Sequence, residues 1–154
     1  MVMHVVLYEP EIPANAGNIS RTCAVARASL HLIRPLGFAT DDKDLKRAGL
    51  DYWEWLDLHY YDNYEHFSLE NAGGRFLFVT ANFGKYYHEI SYQKSDFLIF
   101  GKEAQGLPAE LLAQNAESCL QIPIVKGRSS LNSANSAGII LYEALRQLDF
   151  PNLQ

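Results

Sequence analysis

His4-Val5-Val6-Leu7-Tyr8-Glu9-Pro10-Glu11-Ile12-Pro13-Ala14-Asn15 carries the pattern that decides the fold. Five strand-forming residues without polar alternation read as a strand buried on both faces. Pro10 and Pro13 end it, and a helix is predicted from Asn15 to about Ala28, with Asn15 as its N-cap. The same unit then recurs. Leu30-His31-Leu32-Ile33 reads as a second strand, stopped by Pro35 and Gly37, and Asp41-Asp42-Lys43-Asp44-Leu45-Lys46-Arg47 sets acids before bases as a helix dipole prefers. Residues 58–61 suit a short strand and 63–71 a polar helix. Phe76-Leu77-Phe78-Val79 and Phe97-Leu98-Ile99-Phe100 are the clearest buried strands. A helix near 108–115 starts with Pro108 by its first turn. Cys119-Leu120-Gln121-Ile122 reads as a last strand, and the closing helix runs from about Asn135 to Leu148. Unalternating strands separated by helices specify the α/β class, a parallel sheet with helices on both faces. In such sheets ligands bind beyond the carboxyl ends of the strands, so the loops after strands are where chemistry is expected.

The 154 residues suit one domain over 1–154, with 48% hydrophobic and 20% charged residues marking a globular chain. No repeat or low-complexity linker divides it. Cys23 and Cys119 stand far apart, without the spacing of a zinc site or a disulfide framework, and are expected reduced in the core. His4, His31, His59, His66 and His88 lack metal-ligand spacing, so no metal is expected. Trp53 and Trp55 flank Glu54, and one or both are expected to seal the core. No apolar run is long enough for a membrane span, and the start has no basic leader, so a cytoplasmic protein is expected. A net charge of −5 argues against a uniformly basic nucleic-acid coat. That total hides a polarity. Arg21, Arg27, Arg34, Lys43, Lys46 and Arg47 crowd one stretch with three acids, whereas Ala48 to Glu70 carries six acids and no Lys or Arg.

Three loops concentrate chemistry. Glu9 to Thr22 leads from a strand into a helix, where free backbone N–H groups favour anions such as phosphate. Arg21 is placed about one turn into that helix. The loop carries neither a GxGxxG nor a P-loop pattern, and a proline-stiffened cap with a surface arginine reads the same residues equally well. Phe100-Gly101-Lys102-Glu103-Ala104-Gln105-Gly106-Leu107-Pro108 sets two glycines five apart at the end of a buried strand, which suits either a ligand-hugging loop or a plain turn. Ile122 to Gly138 contains a long Ser/Asn series. A cap needs one such residue, so the series points to binding.

Together these loops resemble the SPOUT class of S-adenosylmethionine-dependent RNA methyltransferases, and within it the bacterial tRNA (cytidine/uridine) 2′-O-methyltransferases of the wobble nucleotide. E-I-P-x-N-x-G-N-I-x-R-x-C-A is met from Glu11 to Ala24, and F-G-x-E-x-x-G-L-P from Phe100 to Pro108. Pro35-Leu36-Gly37-Phe38, Arg47-Ala48-Gly49-Leu50-Asp51-Tyr52 and Tyr142-Glu143-Ala144-Leu145-Arg146-Gln147 match as well. The resemblance implies a C-terminal trefoil knot, a homodimer, and methyl transfer to a tRNA of the leucine type, with S-adenosylhomocysteine as product. It places the cofactor on backbone groups of the loops after Val79, Gly101 and Ile122, and on Ser130 and Leu131. It makes Arg21 catalytic, with Tyr142 a second candidate at the dimer seam or else a core tyrosine. Asn18, Arg21, Lys43, Arg47, Arg128 and Asn132 are the expected RNA contacts. Glu103 answers the cofactor's positive charge or caps the adjacent turn.

Several positions depart from the family pattern. Ile124 replaces a usual methionine, Ser129 stands where an arginine is common, with Arg128 one place early, and Ala134 stands for a serine. Gln105 replaces Arg or Thr, and Arg27 falls on a usual glycine. Backbone-mediated cofactor binding survives such changes more readily than side-chain contacts to RNA. They leave as alternatives a relative that binds RNA or cofactor without catalysis, or a methyltransferase for another RNA.

Overall fold

The computed structural model describes residues 2–39, 43 and 50–154, with the side chains of 50, 51 and 53 outside that description. Apart from Lys43, the helix expected over Asp41–Arg47 lies outside the described residues, as does the Trp53 side chain. Among the described residues seven strands form one sheet: β1 (His4–Tyr8), β2 (Ser29–Ile33), β3 (Leu58–Tyr61), β4 (Phe76–Thr80), β5 (Lys85–Tyr86), β6 (Phe97–Phe100) and β7 (Cys119–Gln121). Their order is β3-β2-β1-β6-β4-β7-β5, and every pairing is parallel. Among the described residues the helices are α1 (Pro13–Ala26), α2 (Tyr64–Glu70), α3 (Ala109–Gln114) and α4 (Ser133–Gln147), with a 3-10 turn at Leu50–Trp55. The expected α/β sheet is thus what forms. The short edge strand β5 escaped the sequence reading because two exposed residues carry no periodic signal.

Strand residues alternate between two cores, which explains why the strands show no polar face. Val5, Leu7, Leu30, Leu32, Leu98 and Leu120 pack with Ile19 and Cys23 of α1 and with Ile140 and Leu141 of α4. On the other face Val6, Ile33, Phe78 and Ile99 pack around Phe67 of α2, with Leu111 and Leu112 of α3 at the margin. Each fully buried aliphatic side chain contributes about 1.5–3 kcal/mol relative to exposure. Both cysteines are buried and unpaired, and burial pushes the Cys23 thiol pKa up. Trp55, by contrast, is 77% exposed and seals no core.

Helix α1 begins earlier than expected. Its N-cap is Ile12, without a side-chain hydrogen bond, and Pro13 occupies the first helical turn, where its fixed φ and missing N–H cost nothing. Asn15 therefore sits inside the helix, buried, and does not cap it. The helix ends at Arg27 in the left-handed region, φ 54°, with its N–H turned to the carbonyl of Ala24. That left-handed conformation is one that glycine adopts without strain.

A chain of neutral hydrogen bonds runs through the α2-side core. Asn71 Nδ2 donates to Tyr61 Oη (3.2 Å), which lies 2.8 Å from His31 Nδ1, and His31 Nε2 lies 2.9 Å from His4 Nδ1. One tautomer satisfies the whole chain: the Tyr61 hydroxyl donates to His31 Nδ1, and the His31 Nε2–H donates to His4 Nδ1. His59 stacks on His31 with ring centroids 4.8 Å apart, and Phe97 stacks on His4 at 4.1 Å. Asp57 lies beyond, accepting from Ser29 and His59. Burial, reinforced by His4 and His59, pushes the His31 pKa down to about 3.

An unfolded histidine titrates near 6.5, so below that pH the unfolded chain binds a proton that folded His31 refuses. Stability is complete above about pH 6.5 and falls as the pH drops toward 3. Urea unfolding should show a midpoint that declines from about pH 7 to about pH 5, before the carboxylates titrate. His31→Gln, which cannot titrate, should flatten that decline, and a flat wild-type profile would contradict the account.

Candidate functional site

The parallel strands deliver their following loops to one end of the sheet. Val79 and Thr80 at the end of β4, with Ala81 and Asn82, form one wall of a cleft of about 590 Å³. Gly101 to Leu107, after β6, form a second wall, and residues 129–133 with Ser136 form a third. Ile12 and Asn15, at the start of α1, close the rim. The volume is that of a small-molecule site.

The loop after β6 owes its shape to its two glycines. Lys102 and Gly106 exchange backbone hydrogen bonds (3.2 and 2.8 Å), and Gly106 has φ +69°. Gly101 passes so close to the backbone of Gly106 and Leu107 that a Cβ cannot fit. The segment is at once a tight turn and a cleft wall. Glu103 leaves this loop with both carboxylate oxygens engaged, accepting from the N–H of Glu11 (2.9 Å) and of Ile12 (3.1 Å). Beside it Lys102 Nζ lies 3.3 Å from Glu9 Oε2.

The third wall is organised by Asn132, the N-cap of α4. Its Oδ1 accepts from the N–H groups of Ala134 (2.9 Å) and Asn135 (3.2 Å). That leaves Nδ2 free to donate to Asn15 Oδ1 at 2.9 Å, across 117 positions of sequence. Ser133 on the same wall has a buried hydroxyl with no hydrogen-bond partner among the described residues. An orphaned hydroxyl costs about 1–3 kcal/mol unless something polar meets it. The small and polar lining residues, this hydroxyl and the volume together fit a polar, adenosine-sized ligand.

Among the residues singled out from sequence, Val79, Gly101, Ser130, Leu131 and Asn132 line the cleft. Ile122 lines a small adjoining hollow shared with Val79, Ser130 and Leu131. Arg128 borders a third concavity with Pro123, Ile124 and Val125, while Ser129, at the place of the usual arginine, lines the cleft itself. Arg21 is not on the lining. Because α1 starts at Pro13, Arg21 lies about 12 Å along the helix axis from its start, two turns and not one. It is exposed, its guanidinium 5.0 Å from the centroid of the Tyr52 ring, a cation–π contact that aims the side chain. Asn18 is exposed one turn earlier on the same face, and Lys43 is exposed. Arg47 lies outside the described residues. Tyr142 is 40% exposed beside Ile139 (38%), which removes it from the core of this chain.

Sequence reasoning missed the Asn15–Asn132 bond and the grip of Glu103 on the Glu11 and Ile12 amides. Both residues stand at fixed positions of quoted motifs, but nothing in a linear pattern says which distant group each one meets.

Comparison with known proteins places this architecture. A model of the SpoU rRNA Methylase family matches residues 2–142. The tRNA (cytidine(34)-2′-O)-methyltransferase of Escherichia coli K12 is 46% identical over 97% of this chain and 96% of its own length. A Geobacillus stearothermophilus protein that carries the same name provisionally is 56% identical, covering 99% of each chain. A solved structure described as giving insight into 2-OH methylation of C/U34 on tRNA superposes with a TM-score of 0.92, at 44% identity, over 96% of this chain and 97% of that one. With the family model matching residues 2–142 and these relatives covering nearly the whole chain, the chain belongs to the SpoU rRNA methylase family.

Proposed function

We propose that residues 1–154 act as one domain that transfers a methyl group from S-adenosylmethionine to the ribose 2′-hydroxyl of the wobble cytidine or uridine of tRNA, releasing S-adenosylhomocysteine. The observation that carries this reading is the convergence of all three motif loops on one cleft, whose rim is the first turn of the helix that presents Asn18 and Arg21. The full-length likeness to proteins named for that reaction supports the choice of RNA.

S-adenosylmethionine, when bound, supplies an electrophilic methyl. The backbone around Val79, Gly101, Ile122, Ser130 and Leu131 would hold it, with the Ser133 hydroxyl supplying a further polar contact. A guanidinium serves poorly as a base, so a proton-abstracting role is not assigned to Arg21. Its planar fork of N–H donors suits a phosphate clamp, or the charge that develops as the ribose hydroxyl gives up its proton. Asn18, Lys43, Arg47, Arg128 and Asn132 complete the contacts that orient the RNA, and orientation is most of what an in-line displacement needs.

The protein works as a homodimer in the cytoplasm, where its two buried cysteines stay reduced. The exposed pair Ile139 and Tyr142 on α4 supplies an apolar seam for the second copy. Ile122 and Ile124 share a hollow with the loop after β4, and Ser129 to Leu131 share the cleft with the loops after β4 and β6, which supports a knotted C-terminal segment.

Incubation with labelled S-adenosylmethionine and unmodified tRNA should label the tRNA, and binding of the cofactor without transfer to any RNA would contradict the reading. Arg21→Ala should lower turnover by about 10²–10³-fold. Because Arg21 is exposed, its circular dichroism spectrum should be unchanged; near-normal turnover would remove Arg21 from catalysis. Gly101→Ala forces the second wall apart and should weaken cofactor binding, read by calorimetry, at least about tenfold (about 1.4 kcal/mol). An unchanged affinity would show that this wall does not hold the ligand.

A further inference from the structure

Residues 9–12 join β1 to α1, and neighbouring loops fix them at each step. The Glu9 N–H donates to the Ile33 carbonyl (2.9 Å), and Gly37 N–H donates to the Pro10 carbonyl (2.9 Å). Glu9 adopts the left-handed region, φ 46°, which a side-chain-bearing residue holds only when its surroundings impose it. The remaining contacts come from the loop after β6: Lys102 on the Glu9 carboxylate, and Glu103 on the amides of Glu11 and Ile12. Ile12 is the N-cap of α1, and no side chain of α1's own cap performs that service. A cleft-lining loop therefore holds the entry to α1 through two charge-assisted hydrogen bonds, each stronger than a neutral one.

The consequence runs along the helix. Arg21 rides on α1 about 12 Å beyond that anchor, and α1 is one continuous hydrogen-bonded rod, so a shift at Ile12 is carried to Arg21. A displacement of about 1 Å in a positioned catalytic group can cost about 10²-fold in rate. We infer that Glu103 is a positioning residue: it registers α1, and with it Arg21, against the cofactor-binding loop, and is not the counter-charge of the cofactor. Each of its oxygens accepts one backbone N–H, which fixes the carboxylate on the entry to α1. The inference rests on the methyltransferase reading above.

The test uses S-adenosylmethionine, which carries a sulfonium charge, and S-adenosylhomocysteine, which does not. In Glu103→Ala, affinities for the two should each stay within about threefold of wild type, while kcat on tRNA falls about 10–100-fold. Glu103→Gln keeps one acceptor oxygen and should recover an intermediate kcat. Glu103→Asp is one methylene too short and should resemble Ala. Independently of turnover, hydrogen exchange at the Glu11 and Ile12 amides should be slow in wild type and fast in the Ala and Asp variants. The inference is overturned if Ala and Gln both weaken S-adenosylmethionine binding while sparing S-adenosylhomocysteine, since Glu103 would then answer the charge. It is overturned equally if Glu103→Ala frees the two amides and turns over like an active wild type. A wild type that methylates no RNA brings down the parent reading first, an outcome distinct from either of these.

Discussion

The parallel register of the sheet is the constraint on which everything else depends. All seven strands point the same way, so β1, β4, β6 and β7 release their following loops at one end. Parallel strands need long returns, and the helices α1, α2 and α3 in those returns, with α4 after β7, bury a core on each face. Loops scattered along the sequence thereby become walls of one cleft. Reversal of any central strand would carry its loop to the opposite end of the sheet and dismantle the site.

Within that frame the loops are held by few, specific contacts. Asn132 divides its amide between capping α4 and bonding Asn15, so one side chain joins the two helices that flank the cleft. Glu103 and Lys102 join the loop after β6 to the entry of α1. The glycine at position 101 lets that loop fold flat upon itself. These are polar ties between segments far apart in sequence, and each one involves a residue that lines the cleft.

Much of this was legible in the sequence for physical reasons. Buried strands such as Phe97–Phe100 lack polar alternation, and Gly101 and Gly106 mark a loop that only glycine permits. Three motif loops at strand ends implied a shared cleft. Less was legible where the answer depends on tertiary partners. Asn15 has the chemistry of an N-cap, yet Pro13 starts the helix sooner and Asn15 is drawn inward by Asn132. Trp55 has the chemistry of a core residue, yet it is exposed. His4 and His31, unremarkable as separate residues, become one network only because β1 and β2 pair in register. Charge told a similar story. The total of −5 conceals a basic stretch of sequence from Arg21 to Arg47, followed by an acidic segment from Ala48 to Glu70.

The central claim is that this small domain methylates a ribose of a tRNA at its wobble position. Mapping 2′-O-methylated nucleotides in tRNA from cells with and without the protein tests it most directly. The account predicts that methylation at wobble cytidine or uridine disappears in cells lacking the protein and returns on expression of wild type. Persistence of that methylation, or loss of a methyl group from a different RNA alone, would contradict it.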